Sequence, residues 1–99
     1  MTEINISTSD ADKHKTLNSI LSNAIERERL ILLSAIEKTK FRLTEFEKRN
    51  SVSSDRFFEN YTNGTAGDSD EVIDWAGEYQ IYLNLKKKLD SLKDVVVAH

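Results

Sequence analysis

The sequence predicts an all-α fold, an elongated helical hairpin of long helix, short connector helix and long helix that dimerises into a four-helix arrangement. Three observations carry the prediction. The 99 residues hold no proline and three glycines, so few positions force the chain to bend. The stretch Asp10 to Arg49 has neither residue and is rich in Leu, Glu, Lys, Arg, Ala and Ile, which are strong helix formers. Apolar residues recur at helical spacing in both halves.

In the first helix Leu21, Ile25, Leu32, Ile36, Leu43 and Phe46 step by four, seven, four, seven and three along one stripe, which Leu17, Ile20, Ala24, Ile31 and Ala35 widen. Ser9 with Asp12 forms a capping pair at its start. Glu26 with Arg29, Glu37 with Lys40, and Glu45 with Lys48 and Arg49 stand at ion-pair spacing on the other face. A helix of this length, at about 1.5 Å per residue, is too long for a compact domain of this size, so a second long helix or another copy has to cover its stripe.

The connector runs from Ser51 to Gly67 and contains a short helix. Ser53 is its expected N-cap, Val52 and Phe57 occupy the positions of a hydrophobic staple, and Asn63-Gly64 ends it. The last helix starts at Asp68 as N-cap, with Glu71 three residues on. Its seam is Val72, Trp75, Tyr79, Tyr82, Leu89, Leu92 and Val96. Gly77 inside this helix points to a close backbone approach, either within the chain or between subunits. Residues 1–9 are expected to be a flexible or extended arm, and residues 10–99 one helical hairpin domain.

Composition removes several function classes. Without cysteine there is no disulfide framework, thiolate zinc site or cysteine nucleophile. No apolar run is long enough to cross a membrane, and the first ten residues lack a secretory pattern, so the expectation is a soluble, cytoplasmic chain with no membrane contact. A net charge of −3 lacks the basic excess of proteins that hold phosphate backbones, and Lys38, Lys40, Arg42, Lys48 and Arg49 are interrupted by Glu37, Glu45 and Glu47, so nucleic acid is not an expected partner. The charge is segregated: nine basic against six acidic residues from Ala11 to Asn50, one against seven from Ser51 to Gln80, and four against two from Ile81 to His99. Such a chain folds back on itself or docks on a twin.

No catalytic, cofactor or metal site assembles from the sequence. Glu71, Asp74 and Glu78 put three carboxylates on one helical face, and Glu71-x-x-Asp74 resembles one half of the paired motif of all-α nucleotide pyrophosphohydrolases. The first helix has no two glutamates three apart to supply the other half, so this face is expected to be solvated. His14 and His99 have no ligand-spaced companion, and no hydroxyl has a base beside it. A calcium loop and a phosphate loop are likewise incomplete.

All eight aromatics fall between Phe41 and Tyr82. If the long helices run antiparallel, Phe46 meets Trp75 and Tyr79 while the short helix closes over them, a structural hub. Phe57, Phe58, Tyr61, Trp75 and Tyr79 are also the residue types that anchor partner proteins. The run Ser53/Ser54, Phe57/Phe58, Tyr61, Gly64, Gly67-Asp68, Trp75, Tyr79 and the leucine-rich last helix resembles short helical prokaryotic proteins thought to be the antitoxin members of toxin-antitoxin pairs. The resemblance covers about 40 residues and implies a non-catalytic partner that binds and silences a small toxin. The expected function is therefore a protein-binding module without enzymatic activity or cofactor; the first alternative is a homo-oligomeric scaffold, and the second a metal-dependent all-α nucleotide hydrolase acting at Glu71, Asp74 and Glu78. The expected seam of core or dimer is Leu21, Ile25, Leu32, Ile36, Leu43, Phe46, Tyr82, Leu89, Leu92 and Val96.

Overall fold

The computed structural model describes residues 10–95. Its elements are α1 (Asp10–Asn50), α2 (Ser54–Thr62) and α3 (Asp70–Lys93), with no strand among the described residues. Acidic Asp10 and Asp12 open α1, and basic Lys48 and Arg49 close it, each sign opposing the partial charge at its end of the helix dipole. The expected arm at residues 1–9, Ser9 of the first capping pair and Val96 of the seam lie outside the described residues.

α1 ends because Ser51 adopts a left-handed conformation with φ of 55°, its N–H donating to the Glu47 carbonyl at 2.8 Å. The side-chain amide of Asn50 donates to the Phe46 carbonyl at 2.8 Å and to Glu71 Oε2 at 2.8 Å, so one residue finishes α1 and ties it to the start of α3. Gly64 with φ of 79° and Gly67 with φ of 87° make the turns between α2 and α3, where a Cβ would be strained.

Two helix starts differ from expectation. Ser53 does stand at the N-cap of α2, but its hydroxyl makes no capping hydrogen bond. It is turned toward the Asp55 carboxylate, and Glu47 of α1 reaches across to accept from the Ser54 N–H at 2.8 Å. The cap of α3 is Ser69, not Asp68: the Ser69 hydroxyl accepts from the Val72 N–H at 3.2 Å. Glu71 is thereby released from the expected capping box and turns to α1.

α3 folds back along α1, and the pairing is charged as well as apolar. Arg42 Nε meets Glu78 Oε1 at 2.8 Å, and Arg49 Nε meets Glu71 Oε2 at 3.5 Å, so the basic flank and the acidic middle do meet within one chain. The buried face of α1 is Leu32, Ile36, Thr39 and Leu43, stepping by four, three and four. Thr39 is the residue the apolar pattern skipped, yet it is 1% exposed. Its hydroxyl donates to the Ala35 carbonyl at 2.9 Å, which satisfies it and leaves its methyl to pack. Ile25, Phe46, Tyr82, Leu89 and Leu92 are half-buried beside this seam. Leu21, half exposed at 50%, lies outside it.

α1 has 41 residues and α3 has 24, so the hairpin is lopsided. Leu92 in the last turn of α3, and Val95 just beyond it, lie beside Glu28 and Leu32, and α1 runs on past them. The molecule measures 66 × 22 × 21 Å with a radius of gyration of 21.2 Å, against about 13 Å for a compact domain of this length. Among the described residues Gly77 serves no close approach: a Cβ added there meets nothing within 4 Å.

Candidate functional site

Seven of the eight aromatic residues gather at the elbow, where α1 ends, α2 lies across and α3 begins; Phe41, expected in the same hub, stands apart on α1 and is 67% exposed. Three stack as an inner set. Trp75 lies parallel to Phe57 with centroids 3.8 Å apart and 3° between planes, and to Phe46 at 5.6 Å and 8°. Trp75 and Phe57 are 2% and 5% exposed, packed with Leu43 and Ala76 and flanked by Val52, Ala66 and Val72. The buried indole N–H donates to Ser54 Oγ at 2.9 Å. The bond pairs the indole donor within the core, since Ser54 is itself 3% exposed. Of the five aromatics expected to meet a partner, Phe57 and Trp75 are thus sealed in the core and present almost no surface.

The remaining rings form an outer ladder on the same elbow. Phe58 stands 5.9 Å from Tyr61 and 5.1 Å from Tyr79, and Tyr79 stands 6.0 Å from Tyr82. Lys86 Nζ closes the ladder 5.5 Å above the Tyr82 ring, within cation–π range. Tyr61 is exposed, while Phe58, Tyr79 and Tyr82 are half-buried, so the ladder is partly open to solvent. The inner stack orders it from beneath: Phe57 also stacks on Tyr61 at 6.1 Å.

A groove runs alongside the ladder, with Tyr79, Tyr82 and Leu83 on one wall and Lys40, Glu47, Asp55 and Lys87 around them. Burial pushes the Tyr79 phenol above its ordinary value, and the carboxylates of Asp55 and Glu47 add to the shift. Its hydroxyl is therefore a neutral donor throughout the physiological range. Asp55 moves the other way, below the ordinary carboxylate range, because the Ser53 hydroxyl and then the Arg56 backbone N–H donate to it. It is a fixed negative charge at the N-terminal turn of α2, where the dipole favours it.

The face of Glu71, Asp74 and Glu78 is not the solvated acidic strip that spacing suggests. Glu71 is engaged by Asn50 and Arg49, and Glu78 by Arg42; Asp74 alone of the three is exposed. Among the described residues no three His, Asp or Glu side chains converge as metal ligands. No described helix is long and apolar enough to cross a membrane.

Sequence reasoning missed Glu47 as part of the elbow, and it named Ser54 and Tyr82 without the contacts they make there. Tyr82 was legible as a clustered aromatic and a seam residue, but not as a rung of the ladder. Ser54 was legible only as one of an adjacent pair, because which of the two serines turns inward depends on the α2 crossing. Comparison of the chain with protein-family models, curated proteins and solved structures returned no match.

Proposed function

We propose that the chain is a non-catalytic protein-binding module that captures a small partner protein on the outer aromatic ladder, in the manner of an antitoxin that silences a toxin. The observation that supports this reading is the ladder Tyr61, Phe58, Tyr79 and Tyr82, half exposed and held by a sealed stack beneath. Tyrosine rings at a surface give a large contact area, and rings already ordered lose little further freedom on binding. Metal-dependent hydrolysis at Glu71, Asp74 and Glu78 is the weaker reading, because it would first have to break the ion pairs of Glu71 and Glu78 with α1.

The test is purification of the tagged full chain with the products of neighbouring genes. Stoichiometric recovery of one small protein, lost on Tyr61→Ala with an unchanged melting temperature, supports capture on the ladder. Recovery that survives substitution of Tyr61 and Phe58 overturns it. A second reading, a homo-oligomeric scaffold, is favoured by the half-exposed apolar side chains along α1; it requires that the chain self-associate with no heterologous protein bound.

A further inference from the structure

One flank of α1 carries apolar side chains that the hairpin does not use. Leu17 and Ile20 are each 57% exposed and Ile31 is 55% exposed, and with Ala24 they step by three, four and seven residues along one side of the helix. Part of this flank lies where α1 has outrun α3, whose last turns lie beside Glu28 and Leu32. The described residues place no helix alongside α1 from Asp10 to that point.

We propose that a second copy of this chain packs antiparallel on this flank, with the two-fold axis beside Ala24. In an isologous antiparallel pair a residue some distance before the axis meets the residue the same distance after it on the other copy. Leu17 and Ile31 are each seven residues from Ala24, so Leu17 meets the partner's Ile31 at both ends of the pair. Asp10 and Lys38 are each fourteen residues from Ala24, on the same side of the helix, and carry opposite charge. The antiparallel pair therefore sets Asp10 against the partner's Lys38 twice. A parallel pair in register sets like against like at both positions, which opposes that arrangement. Ala24 meets its own copy at the axis, where a small side chain lets the backbones approach.

The size of the surface agrees with a dimer. From Asp10 to Lys38 the strip is about 42 Å long and about 10 Å wide. Buried on both copies, with the relief of its side chains, it reaches the lower end of the roughly 1,200–2,000 Å² that stable pairs bury. The strip is separate from the aromatic ladder, so a partner captured there is not displaced. The inference rests on the self-association reading and gives it a surface and an orientation.

The native chain has no cysteine, so introduced thiols report cleanly. Sedimentation equilibrium of the full chain is expected to show a monomer–dimer equilibrium, weakened at least about tenfold by Leu17→Lys or Ile31→Lys with helical content retained. Asp10→Lys alone weakens it, and Asp10→Lys with Lys38→Asp restores it. Under oxidation Ala24→Cys links to itself, and Leu17→Cys links to Ile31→Cys in a mixture but not to its own copy. Self-linking of Leu17→Cys, or a dimer indifferent to Leu17 and Ile31, overturns the antiparallel surface while leaving self-association standing. A chain that stays monomeric at hundreds of micromolar overturns both.

Discussion

Ser54 and Trp75 form a polar pair where water does not reach, and the consequences of removing either partner are unequal. Ser54→Ala leaves the indole N–H unpaired in a dry core and is expected to cost about 1–3 kcal/mol, read by urea denaturation. Adding Trp75→Phe removes the orphaned donor and is expected to recover part of that loss, whereas Trp75→Ala empties the stack and costs about 3–5 kcal/mol. Ser51 is the opposite case, a residue whose side chain works against its backbone. With φ of 55° it sits where an L side chain is penalised by about 1–2 kcal/mol, and Ser51→Gly is expected to stabilise the chain by up to about 1 kcal/mol, a rise of several degrees in melting temperature. Two titrations bracket the elbow. The raised Tyr79 phenol favours the neutral form in the folded state, so its contribution is whole below the ordinary tyrosine value and is lost as pH rises through the higher folded one. The lowered Asp55 carboxyl contributes above its ordinary range and loses that contribution as pH falls through the depressed value. Melting temperature is thus expected to fall at both extremes, and Asp55→Asn and Tyr79→Phe each flatten the corresponding limb.

At the level of elements, the number and order of helices were legible because each rests on local chemistry: the glycine-free stretch of α1, the Val52–Phe57 staple of α2 and the serine-aspartate cluster before α3. The starts of α2 and α3 were less legible, since Glu47 took over part of one cap and Asn50 with Arg49 drew Glu71 away from the other. Those are contacts between helices, which periodicity cannot see. The seam was misread at Thr39 for a related reason: a threonine that bonds to its own helix is as buriable as an aliphatic residue, but a hydropathy pattern counts it as polar. The aromatic hub was expected as a cluster, while its division into a sealed stack and an outer ladder required the angle at which α2 crosses. Among the described residues Gly77 has no neighbour for a Cβ to strike, and it stands inside α3, so Gly77→Ala is expected to add about 1 kcal/mol. An unchanged or lower melting temperature, measured at concentrations where the chain is monomeric, would show that something within the chain needs that space.

At the scale of the molecule, the buried apolar core among the described residues is six side chains, Leu32, Ile36, Leu43, Phe57, Trp75 and Ala76, strung along a body 66 Å long. X-ray scattering of the monomer is expected to return a radius of gyration near 21 Å, and the antiparallel dimer a maximum dimension of about 80–90 Å. The position of the only tryptophan then has a consequence for how unfolding is observed. Trp75 lies at the elbow, about 50 Å along α1 from Asp10. Its fluorescence reports one extremity of a rod, whereas circular dichroism at 222 nm averages every turn of it. Heating a dilute sample will therefore lower the dichroism first, as the unsupported turns of α1 fray, and alter the emission later. The two curves converge only when a second copy supports those turns, so the gap between them, followed against protein concentration, is an internal gauge of association that needs no label.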